Sequence, residues 1–220
     1  MKRLILMLIA ISGLLSPLLS HADCSQLYPN NTKLVVSDTV ELCNTFYVSR
    51  YDSSHNRAVL TAEIIRATQT PVKRVNSFRA DSRFPTATPA DYTNSGFDKG
   101  HMTPAGDSNT TAESFDTFLM TNITPQKPLL NRGVWKELEE SIRSQVKKEG
   151  VDVKVITGAL YEFNPATIGR THKIPIPNGY YKVAYFKSGV KAYYADNKDD
   201  AAIRTVTVDY IRQISHINLP

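Results

Sequence analysis

Phe97-Asp98-Lys99-Gly100-His101-Met102 is the stretch of sequence that says most about the fold and the chemistry of this chain. Asn131 follows thirty residues after His101, and Glu139 follows eight residues after Asn131. An imidazole can accept a proton from water near neutral pH, and amide and carboxylate oxygens are ligands for hard divalent cations. These side chains are therefore the minimum set for metal-assisted hydrolysis of a phosphodiester bond.

Asn131 has two interpretations, because it lies just before a predicted helix. An Asn in that place commonly caps the helix, which is the favoured interpretation for an isolated residue. Alternatively, its amide oxygen binds Mg²⁺, an ion that accepts few protein ligands and keeps several waters. The other histidines of the mature chain, His55, His172 and His216, are interpreted as surface or packing residues.

Glu139 differs from the neighbouring glutamates in its helical phase. It lies at the edge of the apolar stripe of the predicted helix, whereas Glu137 and Glu140 point away from that stripe. Eight residues of regular helix span about 12 Å, so Asn131 and Glu139 could not both ligate one ion directly from such a helix. Glu139 is therefore expected to hold a metal-bound water.

The N-terminus has the pattern of an export signal. Lys2 and Arg3 precede an apolar run over 4–19, and the pattern predicts a signal peptide over 1–22, with an uncleaved anchor as the alternative. Residues 23–220 are then expected to form a single domain that is periplasmic or secreted, without a membrane anchor after cleavage.

Charge and cysteine content agree with an exported protein that acts on an anionic partner. The net charge is +5, and without Lys2 and Arg3 it is +3, a mild excess that suits nucleic acid. Cys24 and Cys43 are the two cysteines. In an exported protein they are expected to form one disulfide, which contributes about 3 kcal/mol to stability. A thiol or metal site is disfavoured, because neither cysteine lies in a C-x-x-C pattern.

The pattern of apolar residues and turns predicts an α+β domain. The predicted strands cover 46–48, 58–66, 151–158, 180–186 and 190–196, and the predicted helices cover 107–120, 134–149 and 206–217. The polar loop over 71–93 carries Arg74, Arg79 and Arg83, one or more of which could contact a phosphate. The strand tyrosines are interpreted as packing residues rather than base-stacking platforms, and they are Tyr180, Tyr181, Tyr185, Tyr193 and Tyr194.

Three ordered motifs carry a resemblance to a known family. They are Asp98-Lys99-Gly100-His101, Asn122-Ile123-Thr124-Pro125-Gln126, and Leu130-Asn131-Arg132-Gly133-Val134-Trp135-Lys136-Glu137-Leu138-Glu139. With these motifs the chain resembles the DNA/RNA non-specific endonucleases, which are sugar-non-specific nucleases of the ββα-metal superfamily. Lys99 departs from the arginine of many members, and lysine lacks the two-pronged fork of arginine.

The resemblance implies a central antiparallel sheet flanked by helices, with a ββα-metal (His-Me finger) active-site unit. It implies that His101 is the general base, that Asn131 binds the metal directly, and that Glu139 binds it through water. Further roles implied by the resemblance are positioning of the site by Asn122, phosphate contact by Arg74 with Arg79 as the alternative, and substrate binding by Lys99 and Arg79.

The function implied by the resemblance is an exported endonuclease, dependent on Mg²⁺ or Mn²⁺, that cuts DNA and RNA with little sequence specificity. The metal held by Asn131 is expected to stabilise the leaving oxygen. The main alternative is a non-catalytic nucleic-acid-binding or uptake protein that retains the fold, and a phosphodiesterase for small substrates is a third reading. No residue points to an inhibitor protein or to a homodimer.

Overall fold

The computed structural model describes residues 23–70 and 72–220. The predicted signal peptide over 1–22 lies outside the described residues. Among the residues that are described, no helix is long and apolar enough to cross a membrane.

A seven-stranded antiparallel sheet forms the centre of the fold, in the order β1-β2-β3-β6-β9-β10-β11. Its strands are β1 (Val40–Cys43), β2 (Tyr47–Asp52), β3 (Arg57–Ile65), β6 (Val153–Leu160), β9 (Gly179–Phe186), β10 (Gly189–Asp196) and β11 (Arg204–Val206). The predicted hairpin around Lys187-Ser188 is confirmed, with Phe186 paired to Gly189. The predicted α+β class is confirmed as well.

In the part of the chain that the structure describes, four α-helices accompany the sheet, namely α1 (Thr111–Thr117), α2 (Pro128–Arg132), α3 (Val134–Glu149) and α4 (Val208–Ser215). The helix predicted over 134–149 is confirmed in full, because its apolar side chains form one buried stripe of Trp135, Leu138, Ile142 and Val146. The helix predicted over 107–120 is wrong at both ends. It is capped by Thr110, whose side chain accepts a hydrogen bond from the backbone N–H of Glu113, while Ala105–Asp107 form a separate 3-10 turn.

The predicted helix over 206–217 is likewise shorter in the structure. Val206 ends the edge strand β11, Thr207 caps α4, and His216 ends it with a left-handed φ of 55°. His216 thus has a structural role, as expected.

The sheet has an apolar core on each of its faces. Tyr180 packs with Trp135 of α3 on one face, and the next residue, Tyr181, packs with Ile211 of α4 on the other. Successive residues of a strand point to opposite faces, so β9 contributes to both cores. Tyr180 and Tyr181 are buried, in agreement with the packing interpretation.

The predicted disulfide between Cys24 and Cys43 is present, with the two Cα atoms 5.9 Å apart. Cys43 ends β1, so the bond ties the N-terminal arm to the edge of the central sheet. Closure of a loop of this size contributes about 3 kcal/mol in the chain-entropy model.

Two small two-stranded sheets lie outside the central sheet. In the first, β4 (Asp98–His101) pairs with β5 (Ile123–Gln126) so that His101 lies opposite Ile123. A Cβ atom on Gly100 would lie 2.6 Å from the Gln126 Cβ, so only glycine allows β4 to lie this close to its partner. The second sheet joins β7 (Thr167–Ile168) to β8 (Ile174–Pro175).

Candidate active site

A cavity of about 520 Å³ opens between β4, the loop before it, α2 and α3. Its lining includes Arg74, Lys99, His101, Asn131, Glu139 and Arg143. The fold therefore brings together the histidine, the amide and the carboxylate that the sequence singled out, although 38 residues separate the first from the last.

His101 lies at the end of β4 against an aromatic wall. Its ring is 4.9 Å from that of Phe118 and 5.4 Å from that of Phe78, measured between centroids. Its Nε2 is buried and has no hydrogen-bond partner among the described residues. Burial, reinforced by the nearby Arg74 guanidinium, lowers the pKa of His101 to about 3, so the ring is neutral at physiological pH.

Asn131 does not cap the long helix, so the cap interpretation is wrong. Gly133 occupies the N-cap position of α3, and Asn131 belongs to the preceding short helix α2. The Asn131 Nδ2 donates a hydrogen bond to the Asp98 Oδ2 at 2.9 Å. No described residue donates a hydrogen bond to the Asn131 Oδ1, which leaves that oxygen for a ligand.

Gly133 separates α2 from α3 and changes the relation of Asn131 to Glu139. A Cβ atom on Gly133 would lie 2.5 Å from the Leu129 carbonyl oxygen, so a larger residue could not take this break. The argument that placed Asn131 and Glu139 about 12 Å apart assumed one regular helix. That premise is wrong, although water-mediated binding by Glu139 stays a prediction.

Glu139 is largely buried, with 13% of its side chain exposed. Burial raises the pKa of this carboxyl to about 7, although the Lys182 ammonium, 3.9 Å from its Oε1, acts in the opposite direction. Glu137 and Glu140 are exposed, as their helical phase predicted.

Four charged residues, one in the wall of the cavity and three behind it, were missed by the sequence reasoning. They are Arg143 in the wall and Glu63, Asp107 and Lys182 behind it. Arg143 donates a hydrogen bond to the Asp107 Oδ1 at 2.8 Å, and the Lys182 Nζ donates one to the Thr157 Oγ1 at 2.7 Å. Glu63 and Lys182 are both buried on central strands. The sequence did contain a signal for Glu63 and Lys182, because each is a charged residue within an apolar strand pattern.

Among the three loop arginines, Arg74 is the one that lines the cavity. Its guanidinium lies over the Phe118 ring at 5.1 Å, and burial lowers its pKa. Arg79 instead stacks on the Phe115 ring at 3.4 Å and donates to the Phe115 carbonyl oxygen at 2.6 Å. Arg83 forms an ion pair with Asp81.

Asn122 lies behind the site rather than in the cavity. Its Oδ1 accepts from the backbone N–H of Thr103, and its Nδ2 donates to the carbonyl oxygens of Thr103 and Thr117, all at 2.9 Å. These bonds hold the chain just after His101, which agrees with the expected positioning role.

Lys99 lines the cavity, and its Nζ lies 5.2 Å from the centre of the Phe78 ring. His55 and His172 lie outside the cavity. The His55 ring forms a hydrogen bond with Asp52, and the His172 ring forms one with Asp91.

The donor set of the cavity fits a hard divalent cation that keeps most of its waters. The Asn131 Oδ1 and the Glu139 carboxylate are oxygen donors of the type that Mg²⁺ prefers. Among the described residues, the one group of three His, Cys, Asp or Glu ligand atoms is Cys24, Glu41 and Cys43, whose sulfurs form the disulfide. The cavity therefore offers few direct protein ligands.

Comparisons with known proteins agree with this geometry. A family model for DNA/RNA non-specific endonucleases matches residues 24–219. Nuclease C1 of Cunninghamella echinulata var. echinulata is 34% identical over 147 residues, which are 61% of this chain and 58% of that protein. Human mitochondrial endonuclease G is 33% identical over 156 residues, which are 62% of this chain and 51% of that protein. The chain thus spans little more than half the length of these curated relatives.

The solved structure of the EndoG/EndoGI complex, which concerns EndoG inhibition, contains a similar fold. The match has a TM-score of 0.73 and 24% identity, and it covers 81% of this chain and 84% of that one. This likeness confirms the predicted fold of a central antiparallel sheet flanked by helices.

The His101 imidazole is expected to stay neutral far below the pH at which a solvated histidine protonates. In a ¹⁵N NMR titration, its signal should hold the neutral shift from pH 8 to about pH 4, since its pKa is about 3. The unfolded chain binds this proton near pH 6.5, so the free energy of unfolding should fall as pH drops through this window. The His101→Ala spectrum identifies the signal, and a midpoint near 6.5 would contradict the burial argument.

Proposed function

This chain belongs to the DNA/RNA non-specific endonuclease family, and we propose that it is an exported, metal-dependent endonuclease that hydrolyses DNA and RNA. The observation that carries the proposal is the convergence of His101, Asn131, Glu139 and Arg74 on one cavity. Weak sequence specificity is expected, because contacts to phosphate contain no base information.

His101 is the general base of the proposed reaction. Its ring is neutral and therefore able to take a proton from water, and Phe78 and Phe118 hold its orientation. Attack of the water oxygen on phosphorus forms one P–O bond and breaks the bond between phosphorus and the 3′ oxygen. The 3′ oxygen takes up a proton from solvent and His101 returns its proton to solvent, which leaves 5′-phosphate and 3′-hydroxyl ends.

Arg74 and Lys99 hold the phosphate. Both line the cavity beside His101, and a guanidinium can donate two hydrogen bonds to the oxygens on which negative charge develops. Lys99 contributes positive charge but cannot donate a pair of parallel hydrogen bonds as a guanidinium does, so Arg74 is assigned the main part of this stabilisation.

Asn131 would hold the divalent cation, Mg²⁺ or Mn²⁺, through its Oδ1, and Glu139 would hold it through a water. A bound cation would supply positive charge that stabilises the negative charge developing on the phosphate and on the leaving group. Asp98 fixes the Asn131 amide by accepting from its Nδ2, so the oxygen faces the ligand rather than the protein.

Export of residues 23–220 as a single domain is supported by the signal pattern and by the disulfide. Disulfides form and persist in oxidising compartments such as the periplasm and the extracellular space. Cys24 lies two residues after the predicted cleavage point, so its bond to Cys43 would anchor the new N-terminus.

His101→Ala is expected to lower the rate of plasmid and RNA cleavage by about 10²-fold or more, the usual contribution of a general base. Chelation by EDTA should abolish cleavage by the parent protein, and added Mg²⁺ should restore it. Digestion of both polymers is followed on gels, with His55→Ala, outside the cavity, as the control. Full activity of a folded His101→Ala protein would refute the base assignment, and binding without cleavage by the parent would favour the non-catalytic alternative.

Asn131→Ala is expected to weaken Mn²⁺ binding by about tenfold or more, the scale seen when groups around a metal are removed. Calorimetry measures this directly, without any dependence on activity. Asn164→Ala, an exposed amide outside the cavity, is the matched control. Equal Mn²⁺ affinity in the two variants would remove Asn131 from the metal site.

Arg74→Ala and Arg79→Ala separate the two arginines considered for the phosphate contact. Arg74→Ala should lower kcat/KM by about 10²-fold, because it removes a donor to the developing charge. Arg79→Ala should keep cleavage and instead cost about 1 kcal/mol of stability, through the lost contacts to Phe115. Steady-state kinetics and urea unfolding of both variants test this, and the reverse pattern would transfer the role to Arg79.

A further inference from the structure

A second cavity of about 600 Å³ adjoins the candidate active site. Arg143 lines both cavities, so the two are neighbours along the side of α3. Thr68, Gln69, Ser144 and Lys147 also line the second cavity. None of these residues has a part in the reaction proposed above, and the inference that follows rests on that proposed function.

Three of the cations that line the two cavities form one stripe on α3. Arg143 is seven residues after Lys136, and Lys147 is four residues after Arg143, so all three lie within about 40° of helical phase. The stripe is about 16 Å long. A strand of duplex DNA has one phosphate per 3.4 Å of axis, so the stripe is long enough for several nucleotides.

The charges along this stripe leave Lys147 available for an anion. Glu140, the acidic residue of the second cavity, is paired with Lys136, whose Nζ lies 3.6 Å from its Oε1. Asp107 holds Arg143 at 2.8 Å and so fixes the wall between the cavities. Lys147 is exposed and has no ion pair with any described residue.

The opposite wall of the second cavity is held in place by backbone hydrogen bonds. The N–H of Ala67 donates to the Asp152 Oδ1, and that of Thr70 donates to the Asn109 Oδ1, both at 2.9 Å. Besides Ala67 and the Glu140 carboxylate, which is paired with Lys136, the lining contains hydroxyl, amide and cationic groups and no aromatic ring. Such a surface suits phosphate and sugar, since recognition of single-stranded bases without sequence preference depends on aromatic stacking.

We propose that the second cavity is a backbone-binding subsite, in which Lys147 contacts a phosphate of the nucleic-acid strand several nucleotides from the bond that is cut. The strand then runs along α3 from the Arg74 and His101 side of the first cavity, past Arg143, to Lys147. The subsite adds affinity for polymers and no preference for sequence.

The test compares Lys147→Gln with Lys148→Gln, both in the His101→Ala protein so that the probe survives. Lys148 is adjacent, exposed and lines neither cavity, and the two variants lose the same charge. Binding of a fluorescent single-stranded 16-mer is measured by anisotropy over a range of NaCl concentrations. Lys147→Gln should weaken binding and reduce the slope of log K against log salt by about 0.7, the value for one lost phosphate contact on a single strand. Lys148→Gln should leave the slope of the parent unchanged.

Equal reductions in both variants would mean that Lys147 acts only through the general charge of the protein, and no reduction in either would mean that it makes no phosphate contact. Either result overturns the subsite. Plasmid cleavage by the protein with His101 intact is measured in parallel. If the protein with His101 intact cleaves the plasmid but Lys147→Gln behaves in either of these two ways, the subsite is overturned and the proposed function is not. If that protein neither cleaves nor binds nucleic acid, the proposed function is overturned together with the subsite.

Discussion

The carboxylate of Asp98 joins the strand that carries the proposed base to the helix that carries the proposed metal ligand. It accepts hydrogen bonds from the Asn131 Nδ2 at 2.9 Å and from the Arg132 Nε at 2.7 Å. The Arg132 side chain is 71% exposed, so the ion pair itself contributes little stability. Its importance is geometric, because Asp98 is three residues from His101 on β4 and therefore sets the position of α2 relative to the imidazole. The break at Gly133 then allows α3 to continue in its own direction and to present Glu139 to the same cavity.

The charges buried behind this cavity lower the stability of the fold, and they hold the side chains of the site in position. Removing charged groups from water costs several kcal/mol for each, and a paired arrangement recovers that cost only in part. Burial raises the pKa of Glu63 well above its ordinary value, and the nearby Asp107 carboxylate raises it further. Burial also raises the pKa of Asp107, while Arg143 and Lys182 lower it. What the cluster achieves is a fixed guanidinium, since Arg143 is held by Asp107 where the two cavities meet. Perturbed carboxyls that converge on a cleft are typical of functional sites rather than of cores selected for stability alone.

Local signals in the sequence were sufficient for some elements and insufficient for others. The apolar stripe of α3 and the alternation around Lys187-Ser188 predicted their elements well, because each pattern is complete within a short window. The start of α1 was missed because several cap residues in a row compete, and Thr110 succeeds owing to its bond with Glu113. Pattern alone could not show that Lys182 is buried, since a charge in a strand reads as solvent-facing until the neighbouring strands are known. The choice of Arg74 over Arg79 for the cavity depends on the course of an irregular loop, which no periodicity describes.

The low pKa of His101 is in tension with its proposed role as a base. A group with a pKa of about 3 is unprotonated at neutral pH, but it is a weak base and holds an accepted proton weakly. Burial is the first cause of this shift, and the positive charge of Arg74 is the second. An anionic phosphate that binds between Arg74 and His101 compensates the second cause, because its negative charge favours the imidazolium form. Substrate binding therefore raises the basicity of His101 in the proposed reaction, and the free site keeps the same residue neutral until a phosphate is in place.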